Sequence, residues 1–186
     1  MNYSNFFVLD HGWATRYYWY KSLDYDIKKD EIKKIKKQKI RFGLHSGTTP
    51  GDIIGGTPVL NFYSENFVRL LKENKIKSFK AYPVIFDSKY NIQMKYYYLD
   101  LTSKVSEIIS TKGKYNIHFD DKGKRSLYGR NGLYFNLKEW NGNDIFGIKD
   151  TLHVIVTKRL KDLIEKTKLK NVVFTNVEKY SFGVYE

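Results

Sequence analysis

Four histidines are the side chains of this sequence best suited to metal binding or proton transfer, and they are His11, His45, His118 and His153. His118 and Asp120 are two residues apart, so a β-strand would place both side chains on one face. A metal site usually needs three or four such ligands, and no HExxH or comparable spacing supplies the others. We therefore expect His118 and Asp120 to form an ordinary polar pair, and we expect no metal site.

The glycine-rich stretch at residues 51–57 raises the question of a phosphate-binding loop. It contains Gly51, Gly55, Gly56 and Thr57, but it lacks the lysine and the glycine spacing of that loop. No GxSxG nucleophile motif is present, and the chain contains no cysteine. We therefore predict a turn-rich connection here, no catalytic residue and no cofactor. The many carboxylates leave an uncharacterised hydrolase open as a minor alternative to a protein that is not an enzyme.

The composition is that of a globular chain with a substantial core. Of 186 residues, 41% are apolar and 28% are charged, which excludes an intrinsically disordered protein. The absence of cysteine excludes a disulfide scaffold. No apolar run approaches the roughly 18 residues of a membrane helix, and the N-terminus lacks the pattern of a secretory signal. We therefore expect a soluble, cytoplasmic protein without a membrane partner.

The strongly basic charge is compatible with an acidic protein, a nucleic acid or an anionic lipid as partner. Lys and Arg total 33 against 20 Asp and Glu, a net charge of +13. The densest basic run, residues 28–41, has Ile32 and Ile35 three apart, which predicts a short solvated helix or a loop. Aromatic residues make up 17% of the chain and form short runs, such as residues 17–20. We assign those runs to the core, although aromatics beside lysines can also stack on single-stranded bases.

Residues 60–84 and 153–177 align at a constant offset of 93 and share one pattern, which indicates an internal repeat. In each copy a β-forming run ends at a hydroxyl side chain, Ser64 or Thr157, that can cap a helix. An amphipathic helix then follows, with apolar residues at the i, i+3 and i+4 positions of one face. Those residues are Phe67, Leu70 and Leu71 in the first copy and Leu160, Leu163 and Ile164 in the second. A turn and a second strand, at residues 79–86 and 172–177, complete the copies.

Strands outnumber helices in the remaining pattern, and they do not alternate regularly with them. Further strands are predicted at residues 5–9, 40–44, 93–101, 115–119 and 133–137. Loops are predicted at residues 43–58 and 123–143, with a hairpin turn at 120–124. We therefore predict an α+β fold with a mostly antiparallel sheet, few helices and an internal strand–helix–strand repeat. One domain should span residues 1–186, with repeat units near 57–101 and 145–186.

Several short motifs of this sequence resemble those of the immunity-protein family of bacterial polymorphic toxin systems. That family was formerly catalogued as a domain of unknown function. The motifs are Gly56-Thr57-Pro58-Val59, Ser64-Glu65-Asn66-Phe67 with Leu70-Leu71, Tyr82-Pro83-Val84, the tyrosine-rich run at 96–98, Asp144-Ile145-Phe146-Gly147, and Val154-Ile155-Val156-Thr157 with Leu160 and Leu163-Ile164. The resemblance covers most of the chain beyond about residue 50, and residues 1–50 match loosely. These positions are mainly structural: a helix cap, a hydrophobic stripe and a strand.

The resemblance implies a cytoplasmic protein that binds a cognate toxin and neutralises it by steric occlusion, with no catalytic residues. Immunity proteins against basic nuclease toxins are typically acidic, so the basic charge implies an acidic or neutral toxin, a local acidic patch or a different function. The alternative is a non-sequence-specific nucleic-acid-binding protein with a lysine-rich, aromatic surface. The predicted partner-binding residues are Tyr128, Arg130, Tyr134 and Trp140 in the second loop region, and Lys33, Lys34, Lys36 and Lys37 in the basic run.

Overall fold

The computed structural model describes residues 2–12, 14–23, 31–57, 60–119 and 125–184. The chain divides into two compact units. Unit 1 comprises Met1–Leu9, Ser103–Lys161 and Phe174–Glu186, and unit 2 comprises Asp10–Thr102 and Asp162–Val173. A single domain over residues 1–186 stays a prediction, because units defined by their contacts need not unfold separately.

The described residues form fifteen strands and three α-helices. The strands are β1 (Phe6–His11), β2 (Trp19–Ser22), β3 (Arg41–Ser46), β4 (Ile53–Thr57), β5 (Phe62–Ser64), β6 (Phe79–Pro83), β7 (Ile85–Phe86), β8 (Tyr96–Leu101), β9 (Lys104–Val105), β10 (Lys114–Phe119), β11 (Arg125–Asn131), β12 (Ile145–Ile148), β13 (Val154–Thr157), β14 (Val172–Asn176) and β15 (Ser181–Val184). The helices are α1 (Glu31–Lys36), α2 (Glu65–Glu73) and α3 (Lys158–Glu165). This content confirms the predicted sheet-dominated α+β class.

Unit 1 contains a five-stranded sheet in the order β14-β1-β13-β12-β9 and a three-stranded sheet in the order β10-β11-β15. Strands β12 and β13 are buried at every position, which fits their unbroken apolar sequences. β13 lies between β1 and β12 and pairs antiparallel with both. Side chains of these strands, including Phe6, Phe146 and Ile155, form the core together with Leu133 and Phe135.

Unit 2 contains a seven-stranded mixed sheet in the order β6-β8-β5-β4-β2-β3-β7. Antiparallel pairs predominate, while β2 pairs parallel with β4 and β3 pairs parallel with β7. The core is aromatic: Phe62 of β5 is fully buried, its ring stacks on Tyr20 at a centroid distance of 4.0 Å, and it contacts Phe42 edge-on. Ile35 of α1 joins this core with 1% of its surface exposed, whereas Ile32 is only half-buried.

Both predicted helix caps are confirmed. The Ser64 hydroxyl accepts from the backbone N–H of Phe67 at 3.1 Å, and the Thr157 hydroxyl accepts from that of Leu160 at 3.4 Å. Both hydroxyls also donate to a carboxylate that stands just before the neighbouring strand, at 2.5 Å for Asp52 before β4 and 2.6 Å for Asp144 before β12. Each 93-offset segment therefore has the predicted order of strand, capped helix and strand. The internal repeat itself, as a duplication of the chain, stays a prediction.

Several predicted boundaries are wrong. Residues 133–137 form no strand, because the Leu133 N–H donates to Val177 and the Tyr134 carbonyl accepts from Ile109, outside any ladder. The predicted loops at 43–58 and 123–143 contain β4 and β11. The predicted strand at 79–86 is divided into β6 and β7 at Val84, whose N–H donates to the carbonyl of Tyr96. The predicted turn at 120–124 lies outside the described residues, as does Asp120.

Candidate functional site

The predicted contact residues of the 123–143 region all belong to unit 1. Tyr128 lies in β11, opposite Ile117 of β10 and Val184 of β15. Arg130 is only 4% exposed, and its guanidinium donates to the backbone carbonyls of Ile109 and Lys112. Arg130 therefore holds the turn that joins β9 to β10.

Tyr134 and Trp140 are half-buried side chains packed against the N-terminal segment. The Tyr134 ring meets Tyr3 edge-on with centroids 5.0 Å apart, and the Trp140 ring meets Phe6 at 5.3 Å. The Trp140 indole N–H also donates to the carbonyl of Asn143 at 2.8 Å. Both rings thus hold the segment that follows β11 against the N-terminal segment. Partner binding by the four predicted residues, Tyr128, Arg130, Tyr134 and Trp140, stays a prediction.

The four lysines predicted as contacts lie in or just after α1, in unit 2. Lys33 and Lys37 are exposed, and Lys34 is half-buried. Lys36 forms contacts within the protein: its Nζ lies 2.6 Å from the Asp100 carboxylate, in an ion pair, and 5.5 Å from the centre of the Tyr82 ring. α1 therefore presents a basic surface that is partly neutralised, and its use in binding stays a prediction.

A hydrogen-bonded cluster in unit 2 holds the imidazole of His11, which is 7% exposed. Its Nδ1 lies 2.9 Å from Oδ1 of Asp10 and 2.9 Å from Oδ1 of Asn61. Because both partners accept, this geometry assigns the proton to Nδ1. The Asn61 amide N–H₂ in turn donates to the Asp10 carboxylate at 3.0 Å, which closes the cluster.

The position of the His11 ring depends on a glycine in β4. A Cβ built on Gly55 would lie 2.2 Å from Cε1 of His11, so only glycine leaves room for the ring. The edge of the His11 ring also meets Trp19 of β2, with centroids 5.2 Å apart. β1, β2 and β4 thus position the imidazole together.

An open cavity of about 400 Å³ adjoins this cluster, and we call it the His11 cleft. Its lining includes His11, Tyr17, Tyr18, Trp19, His45 and Asn171. The three aromatic rings at 17–19 are half-buried, so each presents a face or an edge to the cavity while it remains anchored. Half-buried aromatic side chains of this kind lose little conformational entropy on binding, which suits recognition of another molecule.

Two further cavities of unit 2 lie beside α2. The first, the Lys95 hollow, measures about 470 Å³ and is lined by Tyr18, Pro50, Glu65, Gln93 and Lys95, among others. The second, the Lys168 hollow, measures about 400 Å³ and is lined by Asp52, Arg69, Glu73, Lys168 and Lys170, among others.

The ionised state of Asp10 is stabilised by its neighbours. Burial raises the pKa of this carboxyl, but the hydrogen bonds from His11 and Asn61 outweigh burial and bring the pKa below its ordinary value. The Asp10–His11–Asn61 cluster is therefore a polar network that orients His11. Among the described residues, no group of three His, Cys, Asp or Glu side chains could hold a metal ion.

The comparison with protein families decides what kind of protein carries these cavities. Residues 8–179 match the model of the immunity protein family Imm11. The chain belongs to the Imm11 immunity protein family. No curated protein matches this Imm11 sequence. Within the described residues, no helix is long and apolar enough to cross a membrane.

The cavities of this Imm11 protein were not predicted from its sequence. The sequence presents His11 only as a titratable residue without a role, and its pattern assigns the aromatic run at 17–20 to the core. Tyr20 does lie in the core, fully buried, but Tyr17, Tyr18 and Trp19 line the cleft. The change from apolar Leu9 to Asp10 and His11 at the end of β1 is the local signal that could have located the cluster.

In this Imm11 protein, replacing Asp10 with asparagine should change how stability depends on pH. The folded-state pKa of Asp10 is lowered, so its ionisation adds stability above the unfolded-state pKa, near 3.9, and that stability is lost as the pH falls through the folded-state pKa. We therefore expect Asp10→Asn to be less stable than wild type at pH 6, with the difference shrinking toward pH 3. Urea unfolding of both proteins between pH 3 and pH 6 measures this difference in the free energy of unfolding. A constant difference would contradict the assigned hydrogen bonds.

Proposed function

We propose that this chain binds one cognate bacterial toxin and neutralises it by steric occlusion, without catalysis. The match of residues 8–179 to an immunity protein family is the observation that supports this function most directly. The proposal extends to a polymorphic toxin system, with the complex forming in the cytoplasm of the cell that produces the toxin.

The architecture of the chain supports inhibition by binding. Within each unit, sheets packed on a buried apolar core give a rigid framework. A rigid surface loses little conformational entropy when it associates, so more of the contact energy remains as affinity. An interface of standard size, about 800 Å² on each partner, is large enough to cover a toxin's active site or an essential surface.

The test is a growth assay with the toxin domain, by which we mean the C-terminal domain of the large protein encoded beside this chain. The toxin domain is induced in bacteria with and without this chain, and the two proteins are then co-purified. We expect the toxin domain to stop growth, this chain to restore it, and the two to co-purify in one-to-one ratio. A toxic domain that this chain neither binds nor counteracts would overturn the proposal.

A nucleic-acid-binding function is the alternative supported by the net charge of +13. It predicts binding of a single-stranded oligonucleotide that weakens steeply between 50 mM and 200 mM salt. The immunity function predicts no such binding at physiological salt. The same purified protein can therefore be tested for both functions.

A further inference from the structure

The His11 cleft, the Lys95 hollow and the Lys168 hollow adjoin one another in that order, because each shares lining residues with the next. Tyr18 lines both the His11 cleft and the Lys95 hollow. Pro50, Asn66 and Met94 line both the Lys95 hollow and the Lys168 hollow. We call the three together the binding groove. Each cavity has the volume of a small-molecule site, about 300–1,000 Å³, but a row of three open cavities is better matched to a length of polypeptide.

The chemical character of the groove changes along its length. The His11 cleft presents the rings of Tyr17, Tyr18 and Trp19. The Lys168 hollow, at the other end, presents Arg69 and two exposed lysines, Lys168 and Lys170. A ligand that fills the groove therefore needs an apolar or aromatic group at one end and hydrogen-bond acceptors or negative charge at the other.

The exposed charges of the groove are mainly positive. Arg69, Lys95, Lys168 and Lys170 are opposed by the exposed carboxylates of Glu65 and Glu73. These two carboxylates lie 3.8 Å from Lys95 and Arg69 respectively, in exposed pairs. Exposed pairs at this distance contribute little energy, so a ligand can replace them at small cost.

The third carboxylate of the groove, Asp52, is buried and hydrogen-bonded within the protein. It accepts from the Ser64 hydroxyl at 2.5 Å and from the Lys170 backbone N–H at 2.7 Å. Asp52 therefore positions the segment that contains Lys168 and Lys170 against α2. These donors hold the Asp52 carboxylate inside the protein, so the exposed charges at that end of the groove are those of Arg69, Lys168, Lys170 and Glu73.

We propose that the binding groove is the toxin-binding surface and that its occupant is an extended, acidic segment of the toxin, with one aromatic or apolar side chain in the His11 cleft. This inference rests on the proposed immunity function. A second copy of this chain is a poor occupant, because two chains of net charge +13 repel each other. An acidic segment also explains the positive net charge of this chain, since complementary charges speed association and determine which partner binds.

The charged end is tested by the double variant Lys95→Glu/Lys168→Glu. Lys75→Glu/Lys77→Glu is the matched control, since both of its lysines are exposed, belong to the same unit and line none of the three cavities. We expect the groove variant to bind the toxin domain with an association rate constant at least about tenfold lower than wild type at low salt. We expect the control to stay within about threefold, because its charges lie outside the interface.

The aromatic end is tested by filling the cleft without removing a native contact. Ala14 is exposed and lines the His11 cleft, so Ala14→Trp places an indole where the toxin side chain would bind. We expect at least about a 30-fold loss of affinity, the scale of a lost central anchor. Ser110→Trp, at an exposed turn of unit 1, is the control. Thermal unfolding of all four variants confirms that each is folded before its affinity is compared.

The outcomes separate this inference from the proposed function. Rescue by wild type, with toxin binding weakened by at least these factors in both groove variants and kept in both controls, would support the groove. Rescue and unchanged affinity in folded groove variants would overturn the groove while the immunity function stands. Failure of wild type to bind or rescue would overturn both. If Lys95→Glu/Lys168→Glu abolished binding of a dT oligonucleotide and left toxin affinity unchanged, the groove would be a nucleic-acid site, which also overturns the inference.

Discussion

Replacing Phe62 with alanine should lower the free energy of unfolding by about 3–5 kcal/mol. Phe62 is fully buried in β5 and lies at the centre of the aromatic core of unit 2, stacked on Tyr20 and edge-on to Phe42. The substitution removes buried apolar surface and leaves a cavity that rigid neighbouring rings can fill only in part. For a chain of this length, the melting temperature should fall by roughly 6–20 °C.

Urea unfolding monitored by circular dichroism measures the loss in Phe62→Ala. Tyr115→Ala is the control, because 51% of Tyr115 is exposed and its truncation should cost less than about 1 kcal/mol. Similar losses in the two variants would contradict the central place of Phe62 in this core.

Replacing Gly47 with alanine should destabilise the chain by about 3 kcal/mol or more. Gly47 has a φ of +86°, which costs a residue with a Cβ about 1–2 kcal/mol. A Cβ at this position would also lie 2.0 Å from the carbonyl oxygen of Tyr17. The backbone that carries this carbonyl is held in place by the hydrogen bonds of Thr49 with Arg16 and Tyr18. Because the clash is with backbone and not with a side chain, a change of rotamer cannot relieve it. Because Tyr17 lines the His11 cleft, toxin affinity should fall as well.

Gly142→Ala separates the two causes of this loss. Gly142 has the same φ of +86°, and a Cβ there would meet nothing within 4 Å. It should therefore lose only the conformational part, about 1–2 kcal/mol, and keep its affinity for the toxin domain. Thermal unfolding of both variants gives the comparison. Equal melting temperatures for Gly47→Ala and Gly142→Ala would show that the steric clash with the Tyr17 carbonyl does not add to the loss of stability.

The parts of the fold that the sequence predicted well are those with a strong local signal. Ser64 and Thr157 cap their helices as predicted, because a hydroxyl before an amphipathic stripe acts on amides only three residues away. The central strand β13 was predicted from its short, continuous apolar run, whereas the neighbouring strand β12 was not predicted. The family resemblance rests on short motifs that include these caps and strands, and the match over residues 8–179 confirms it.

The errors in the predicted fold have one physical cause, which is pairing with distant residues. The glycines of residues 51–57 indicated turns, yet β4 pairs with β2 and β5 there. Its glycines are needed because His11 and Tyr20 approach the strand closely: a Cβ on Gly56 would lie 2.2 Å from the Tyr20 carbonyl. Conversely, Leu133 and Phe135 alternate like a strand but are buried in a segment without ladder pairing.

The sequence by itself determined the α+β class, the capped helices, the basic charge and the membership in an immunity family, because these depend on composition and on residues within a few positions of one another. The tertiary structure alone decided which side chains share a cavity. Asp10 and Asn61 are 51 residues apart, and the Asp52 carboxylate binds the Lys170 amide 118 residues away. Contacts at such separations depend on strand order and register, which local patterns do not specify.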